Sequence, residues 1–415
     1  MKKDVRHWLA PAYGMFAVAW GGNEFTPLLV MYKANDGLSQ VAVNVLLFAY
    51  VLGIVPALLL GGPLSDRYGR RRLMIPAPVI AALGSLVLAV AHGSAGVLFA
   101  GRVLSGIALG LVMAAGSAWV KELSGPPYET ARSGDQAVGA RRGAMSLTAG
   151  FGVGAGVAGA LAEWAPLPEA LAFLVNAAVT LPAAVLLRRT PETVTLGSSR
   201  RLVDDLKIPA VAHRRFLFVV LPVAPWVFGT AACAYAVFPS LLASKVTAAP
   251  VAFSALLCLV GLGCGFAMQS MGRRIDRPGT ARGVVVALAA VAGGMALAAG
   301  VALERNVLLT VLGALVLGGG FGLSLVGGLT EIERIARPSD LAGLTAVYYS
   351  VTYLGFGVPA AMAALAQAAG IRYSAMFLAG AVFALLCLAV VLLHDRRSRI
   401  TTTAAAPAET PLRRR

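Results

Sequence analysis

Glu24 is the one carboxylate, and Arg102 the one basic side chain, that fall inside the long apolar runs of this sequence. A charge at such depth is costly to leave alone in hydrocarbon, so each calls for a partner or for water. Desolvation favours the protonated form of a carboxyl, and a nearby guanidinium favours the ionised one. Small changes in separation or hydration could therefore load and release a proton near neutral pH. Glu24 reads as a proton-coupling carboxylate assisted by Arg102, and a permanent structural ion pair is the competing reading. Phe16, Trp20, Asn23, Glu24 and Pro27 recur at i, i+4, i+7, i+8 and i+11 and share one helix face. That stripe mixes aromatic, amide and acid groups, so it should face an interior and not lipid.

The elements that hold these residues are set by composition. The chain has 415 residues, 58% of them hydrophobic and 13% charged, with a mean hydropathy of +0.78. That is too little polar surface to coat a water-soluble globule of this size, so the bilayer is the solvent. A crossing needs roughly 20 apolar residues. Twelve such runs are predicted, near 10–32, 40–61, 73–91, 97–118, 143–162, 170–187, 216–239, 249–270, 283–302, 307–329, 343–366 and 374–393. The fold class is an all-α membrane protein.

A net charge of +16 raises nucleic acid as a partner, and the distribution of the charge argues against it. If both termini are cytoplasmic, thirty of the thirty-five Lys and Arg lie in inner segments, and the outer loops hold only Lys33, Lys245, Arg305 and Arg372. This asymmetry is the positive-inside rule and predicts cytoplasmic termini. Span one then runs outward and span four inward, placing Glu24 about 12 Å and Arg102 about 8 Å below the outer surface, within reach of one another. Cys233, Cys258, Cys264 and Cys387 fall in spans and read as small apolar residues. His7, His92, His213 and His394 are scattered, so no metal site is expected. No phosphate-binding loop is present, which leaves an ion gradient as the expected energy source, with no cofactor. Nothing resembles a catalytic triad, and no enzyme activity is expected.

The sequence is duplicated. Gly62-Pro-Leu-Ser-Asp66-Arg67-Tyr-Gly69-Arg70-Arg71-Arg72 returns 210 residues later as Gly272-Arg-Arg-Ile-Asp276-Arg277-Pro-Gly279-Thr-Ala-Arg282, with five of eleven positions identical. Gly150-Phe-Gly152-Val in span five returns as Gly355-Phe-Gly357-Val in span eleven. Repeated halves in a polytopic protein point to a transporter built about a pseudo-two-fold axis. The predicted organisation is a six-helix bundle over 1–187, a basic cytoplasmic linker over 188–215, a second six-helix bundle over 216–395 and a disordered tail over 396–415.

In these features the chain resembles the major facilitator superfamily, and within it the twelve-helix proton-driven exporters of drugs and small molecules. The resemblance rests on Gly62, Leu64, Asp66, Arg67, Gly69, Arg70 and Arg71 between spans two and three, and on Arg102-Val-Leu-Ser-Gly106-Ile-Ala-Leu-Gly110 in span four. It is supported by Gly150, Gly152, Gly154, Gly156 and Gly159 in span five, similar to a glycine-rich antiporter motif whose usual proline is here Ala155. The resemblance implies two pseudo-symmetric halves, alternating access and a central cavity lined by helices one, four, seven and ten. It also implies a latch of Asp66, Arg70 and Glu122 that holds the outward-open state. Gly62 and Gly69 allow a tight turn there, and Arg67 belongs to the same basic loop. A second reading has the loop arginines only enforcing topology against anionic lipid. The lost basic run after Gly279 predicts a lesser role for Asp276.

Candidate cavity residues are Phe16, Trp20 and Asn23 on helix one, Asn44 on helix two, Trp226 and Thr230 on helix seven, Gln269 on helix eight, and Tyr349 and Tyr353 on helix eleven. Packing is the competing role for each aromatic, and interhelical hydrogen bonding for Asn44 and Gln269. The expected protein is a monomeric, multi-pass protein of a bacterial inner membrane that exchanges protons for a small hydrophobic or cationic molecule. Proton-coupled uptake of a nutrient, or a sensor without transport, are the alternatives.

Overall fold

The structure is a computed structural model and describes residues 6–129, 137–194, 208–277, 279–337 and 340–404. Its helices are α1 (Leu9–Asn23), α2 (Leu29–Asn35), α3 (Gln40–Tyr68), α4 (Arg70–Ala89), α5 (Ala95–Leu123), α6 (Ala137–Trp164), α7 (Leu171–Arg188), α8 (Phe216–Leu242), α9 (Pro250–Ile275), α10 (Arg282–Glu304), α11 (Val307–Ile335), α12 (Leu341–Ala369) and α13 (Tyr373–Ala404). Among the described residues, eleven helices, α3 to α13, are long and apolar enough to cross a membrane.

The twelfth crossing is α1 and α2 together. The sequence predicts one unbroken run over 10–32, and the structure breaks it at Glu24–Leu28. Pro27 has no N–H to offer Asn23, and the chain tightens there. Thr26 N donates to Asn23 O at 3.3 Å, Leu28 N to Phe25 O at 3.1 Å and Leu29 N to Thr26 O at 3.4 Å. The Thr26 hydroxyl also donates to Asn23 Oδ1 at 2.8 Å, so the break is fastened by side chains as well.

A second difference lies at the C-terminal end of α3. That helix is capped at its start by Ser39 Oγ, which accepts from Ala42 N at 3.1 Å, and then runs on through Pro56 and Pro63. Gly62 is therefore a helical residue with open space where a Cβ would sit, and not part of a turn. The turn itself is Gly69, at φ 97°, a conformation in which a side chain would be strained.

The six-plus-six duplication is realised as two bundles joined along two helix pairs, α6 against α9 and α3 against α12. Of these eleven helices the most enclosed is α8, with 72% of its apolar stretch buried, and the least are α6 and α13, at 28% each. The exposed side chains of α13, among them Val382, Leu385, Leu386 and Leu393, are apolar, as a lipid-facing helix requires. That helix continues through Ala404, into the segment that the sequence assigns to a disordered tail from 396. Most of the linker, 195–207, and the tail from 405 lie outside the described residues.

Candidate transport site

Glu24 is the first residue of the break and is fully buried. Its Oε1 accepts from Ser85 Oγ on α4 at 3.2 Å, and its Oε2 has no partner. The same Ser85 hydroxyl lies 2.9 Å from Oδ1 of Asn176 on α7. Asn176 in turn donates from Nδ2 to Ala17 O on α1 at 3.1 Å, and its Oδ1 accepts from Thr180 at 3.4 Å. This approach needs a bare backbone on α1, because a Cβ at Gly21 would sit 2.7 Å from Asn176 Oδ1.

Arg102, on α5, is also fully buried. Its Nη1 donates to Gly22 O at 3.3 Å and its Nε to Leu46 O at 3.4 Å. The guanidinium carbon sits 4.7 Å from the ring centre of Phe25 and 4.4 Å from that of Tyr50, while Nη2 has no partner. The expected direct pair between Glu24 and Arg102 is thus absent among the described residues. The break bares the Gly22 carbonyl and swings Phe25 toward the arginine, which solvates its charge with dipoles and π faces. Glu24 turns the other way, to Ser85, and stays close enough to feel the positive charge.

The remaining cavity candidates separate into distinct places. Phe16 and Trp20 meet edge to face, their centres 6.0 Å apart, and the Trp20 indole nitrogen is unpartnered. Asn23 is tied to α6 through Nδ2 to Phe151 O at 3.1 Å. Asn44 crosses between the halves, donating to Pro359 O at 3.0 Å. Tyr353 also lies at the junction. It stacks on Phe228 at 4.4 Å, meets Tyr50 at 6.0 Å and donates its hydroxyl to Met113 Sδ at 3.2 Å. Tyr349 neighbours Tyr348 at 6.0 Å, and Gln269 is half-buried on α9.

Two further candidates, Trp226 and Thr230, lie on α8. Trp226 packs on Phe383 of α13 at 5.6 Å, toward the bundle's outer helix. Thr230 returns its hydroxyl to its own helix, at Trp226 O, 2.8 Å.

The five glycines of α6 divide by face. Gly150 and Gly154 lie against the carbonyls of Phe16 and Trp20 on α1, where a Cβ would clash. Gly152, Gly156 and Gly159 face Leu259 and Ala255 of α9 in the other half. The stripe therefore serves two interfaces at once. Just beyond it, Glu163 Oε2 accepts from Val251 N at 2.8 Å and Ala252 N at 3.0 Å, clasping the first turn of α9. This contact joins the two halves at the end of the junction opposite the Asp66 loop.

At the Asp66 end, Arg70 pairs with Asp66 and, at 2.9 Å, with Glu122 Oε1, and donates to Ser65 Oγ at 2.9 Å. Glu192 adds what the sequence did not point to: its carboxylate accepts from Arg70 N at 3.0 Å and Arg71 N at 2.9 Å. Arg67 lies over the neighbouring Tyr68 ring at 5.7 Å. The second half holds an equivalent network, in which Arg334 pairs with Asp276 and, at 2.7 Å, with Glu331, and Arg215 pairs with Glu331. Asp276 is thus held in an ion pair despite the lost basic run, because its arginine comes from α11 and not from the loop.

Other residues that sequence reasoning passed over are Ser85, Asn176 and Glu163. Asn176 had a signal, an amide inside an apolar run, the same criterion that picked out Asn44. Ser85 had none, since a lone hydroxyl in such a run is commonplace.

Two bundles of six crossings, with a buried acid and arginine in the first, define a multi-pass helical membrane transporter. The family model of the Major Facilitator Superfamily matches residues 9–243, and the chain belongs to that family. It is 31% identical over 161 residues to the 3-(3-hydroxy-phenyl)propionate transporter of Escherichia coli (strain K12), covering 38% of this chain and 37% of that one. It is 26% identical over 153 residues to the quinolone resistance protein NorA of Staphylococcus aureus, covering 36% and 37%. These alignments span little more than a third of each relative's length. Among solved structures, the fold superposes on a POT family transporter in complex with 5-aminolevulinic acid with a TM-score of 0.74 at 12% identity, covering 94% of this chain and 96% of that one. It superposes on the xylose transporter XylE from E. coli with a TM-score of 0.65 at 15% identity, covering 94% and 97%.

Proposed function

We propose that this protein is a proton-coupled secondary active transporter of a bacterial inner membrane, with both termini cytoplasmic. In this reading it exports a small hydrophobic or cationic compound by alternating access in exchange for protons. The observation that carries the reading is Glu24. It is wholly buried at a helix break, bonded through one oxygen to a neutral hydroxyl and free of a direct ion pair. A carboxyl so placed can exist in either charge state, whereas one locked to arginine would stay ionised. Arg102, held by carbonyls and rings, supplies a fixed positive field against which the proton is gained or lost. Relatedness to a quinolone resistance protein over part of the chain supports export.

Uptake of a small organic molecule with protons is the second reading. It is favoured by Ala155, which replaces the proline of the antiporter motif, and by the hydroxyphenylpropionate transporter among the relatives. The two separate on the direction of transport. The test is accumulation of a dye and antibiotic panel in cells making wild type or Glu24→Gln, with and without a protonophore. Lower accumulation with wild type, abolished by the mutation and by the uncoupler, is expected. Higher accumulation with wild type would instead establish uptake, and transport unaffected by Glu24→Gln would remove Glu24 from the mechanism.

A further inference from the structure

We propose that Ser85 and Asn176 form a hydrogen-bond switch that reads the charge on Glu24 and passes it to α7, making both of them positioning residues for proton coupling. The proposal rests on the reading of Glu24 as the coupling carboxylate. Ser85 has one hydroxyl proton and two acceptors within reach, Glu24 Oε1 at 3.2 Å and Asn176 Oδ1 at 2.9 Å. It can serve one of them fully at a time.

With Glu24 ionised, a charge-assisted bond is the stronger one, and the Ser85 proton turns to the carboxylate. Asn176 Oδ1 is then left with Thr180 at 3.4 Å. With Glu24 protonated, the carboxyl O–H donates to Ser85 Oγ, and the Ser85 proton turns to Asn176 Oδ1. Only the O–H bond on Glu24 is made or broken, and every other proton keeps its parent oxygen. The amide is fixed in the orientation this needs. Its Nδ2 faces the Ala17 carbonyl at 3.1 Å, so a flipped amide would set oxygen against oxygen there and nitrogen against the Ser85 hydroxyl.

The consequence is mechanical. Asn176 ties α7 to α1 through Ala17, and a hydrogen bond gained at Oδ1 polarises the amide and strengthens that tie. Protonation of Glu24 would thus tighten α4, α7 and α1 together, on the side of the bundle away from the aromatic junction. All four groups are buried, out of contact with bulk solvent. The other groups around Glu24 are Arg102 on α5, which is charged in both states, and Tyr32 on α2. Tyr50 on α3 faces Arg102. Phenols are neutral below about pH 9, so neither tyrosine competes for the switch.

The test is an infrared titration of the full-length protein in lipid nanodiscs, following the C=O band of a protonated carboxyl that Glu24→Gln removes. Ser85→Ala deletes the donor to the ionised form and should move the midpoint to higher pH, an increase of about fivefold to tenfold in proton affinity. Ser85→Thr, which keeps the hydroxyl, should restore it. Asn176→Ala deletes the competing acceptor, frees Ser85 for the carboxylate and should move the midpoint the opposite way. Shifts of one sign in both variants, or no shift in either, would overturn the switch. If Asn176→Ala fails to fold, the shift in Ser85→Ala and its reversal in Ser85→Thr decide the matter, and their absence overturns it. Opposed shifts combined with transport that does not need Glu24 would keep the switch and sink proton coupling. A Glu24-dependent transport whose midpoint ignores both variants would do the reverse.

Discussion

The two halves descend from one repeat, yet they distribute polarity differently. The first half places Glu24, Arg102, Ser85 and Asn176 in its core. The second brings Phe228, Phe321, Tyr353 and Phe356 into ring contact, and Thr230 bonds only within its own helix. At the Asp66 end the halves are alike in outcome and unlike in means. Asp66 and Glu122 correspond to Asp276 and Glu331, but the arginine between them opens α4 in one half and comes from the end of α11 in the other. Duplication has kept the acceptors and relocated the donor. A charge network needs a cation at a point in space, and any helix end that reaches that point can supply it.

The sharpest way to break this contrast is to remove the acid. Glu24→Gln should abolish gradient-driven transport while leaving the protein folded, whereas Thr230→Val in the second half should leave transport near wild type. Equal losses in a vesicle transport assay would erase the asymmetry. Next in size is Arg102→Ala, which removes the positive field beside Glu24 and leaves the buried Gly22 carbonyl without its donor, at a cost of about 1–3 kcal/mol. A Tm in detergent within a degree or two of wild type would contradict this. The like-for-like comparison is Arg70→Ala against Arg334→Ala. Each removes a cation shared by two carboxylates, so the two should impair transport to a similar extent. A silent Arg334→Ala would restore the lesser role that the degraded loop suggests.

The smallest effect concerns Glu129, outside the spans, where a hydrogen bond from Arg142 holds the carboxyl below the usual carboxylate range. A depressed folded-state value means that the pair stabilises fully above the unfolded value of about 4.3 and loses that contribution as pH falls through the lower folded one. The Tm gap between wild type and Glu129→Gln should therefore be constant from pH 7 to 6 and shrink below pH 4. A gap that widens in acid would reverse the sign.

Span positions were legible because each is set by a run of apolar residues that bilayer thickness makes long. Glu24 and Arg102 were legible for the same reason, as exceptions to such runs. Their relation was not. The break at Pro27 depends on whether a neighbouring group satisfies the freed Gly22 carbonyl, and that neighbour, Arg102, lies on a distant span. The direction of Trp226 was hidden likewise, since helical periodicity gives a shared face without saying which neighbour it meets. Gly62 misled because a motif is continuous in sequence even where helix and turn divide it.

The interrupted first span has a consequence for biogenesis. At fifteen residues, α1 is about 22 Å long, short of a hydrocarbon core of about 30 Å, and it ends on an acid. Its Gly22 carbonyl finds the Arg102 guanidinium only when a segment 80 residues downstream has been synthesised. The first crossing therefore reaches its final form only once the fourth has been made.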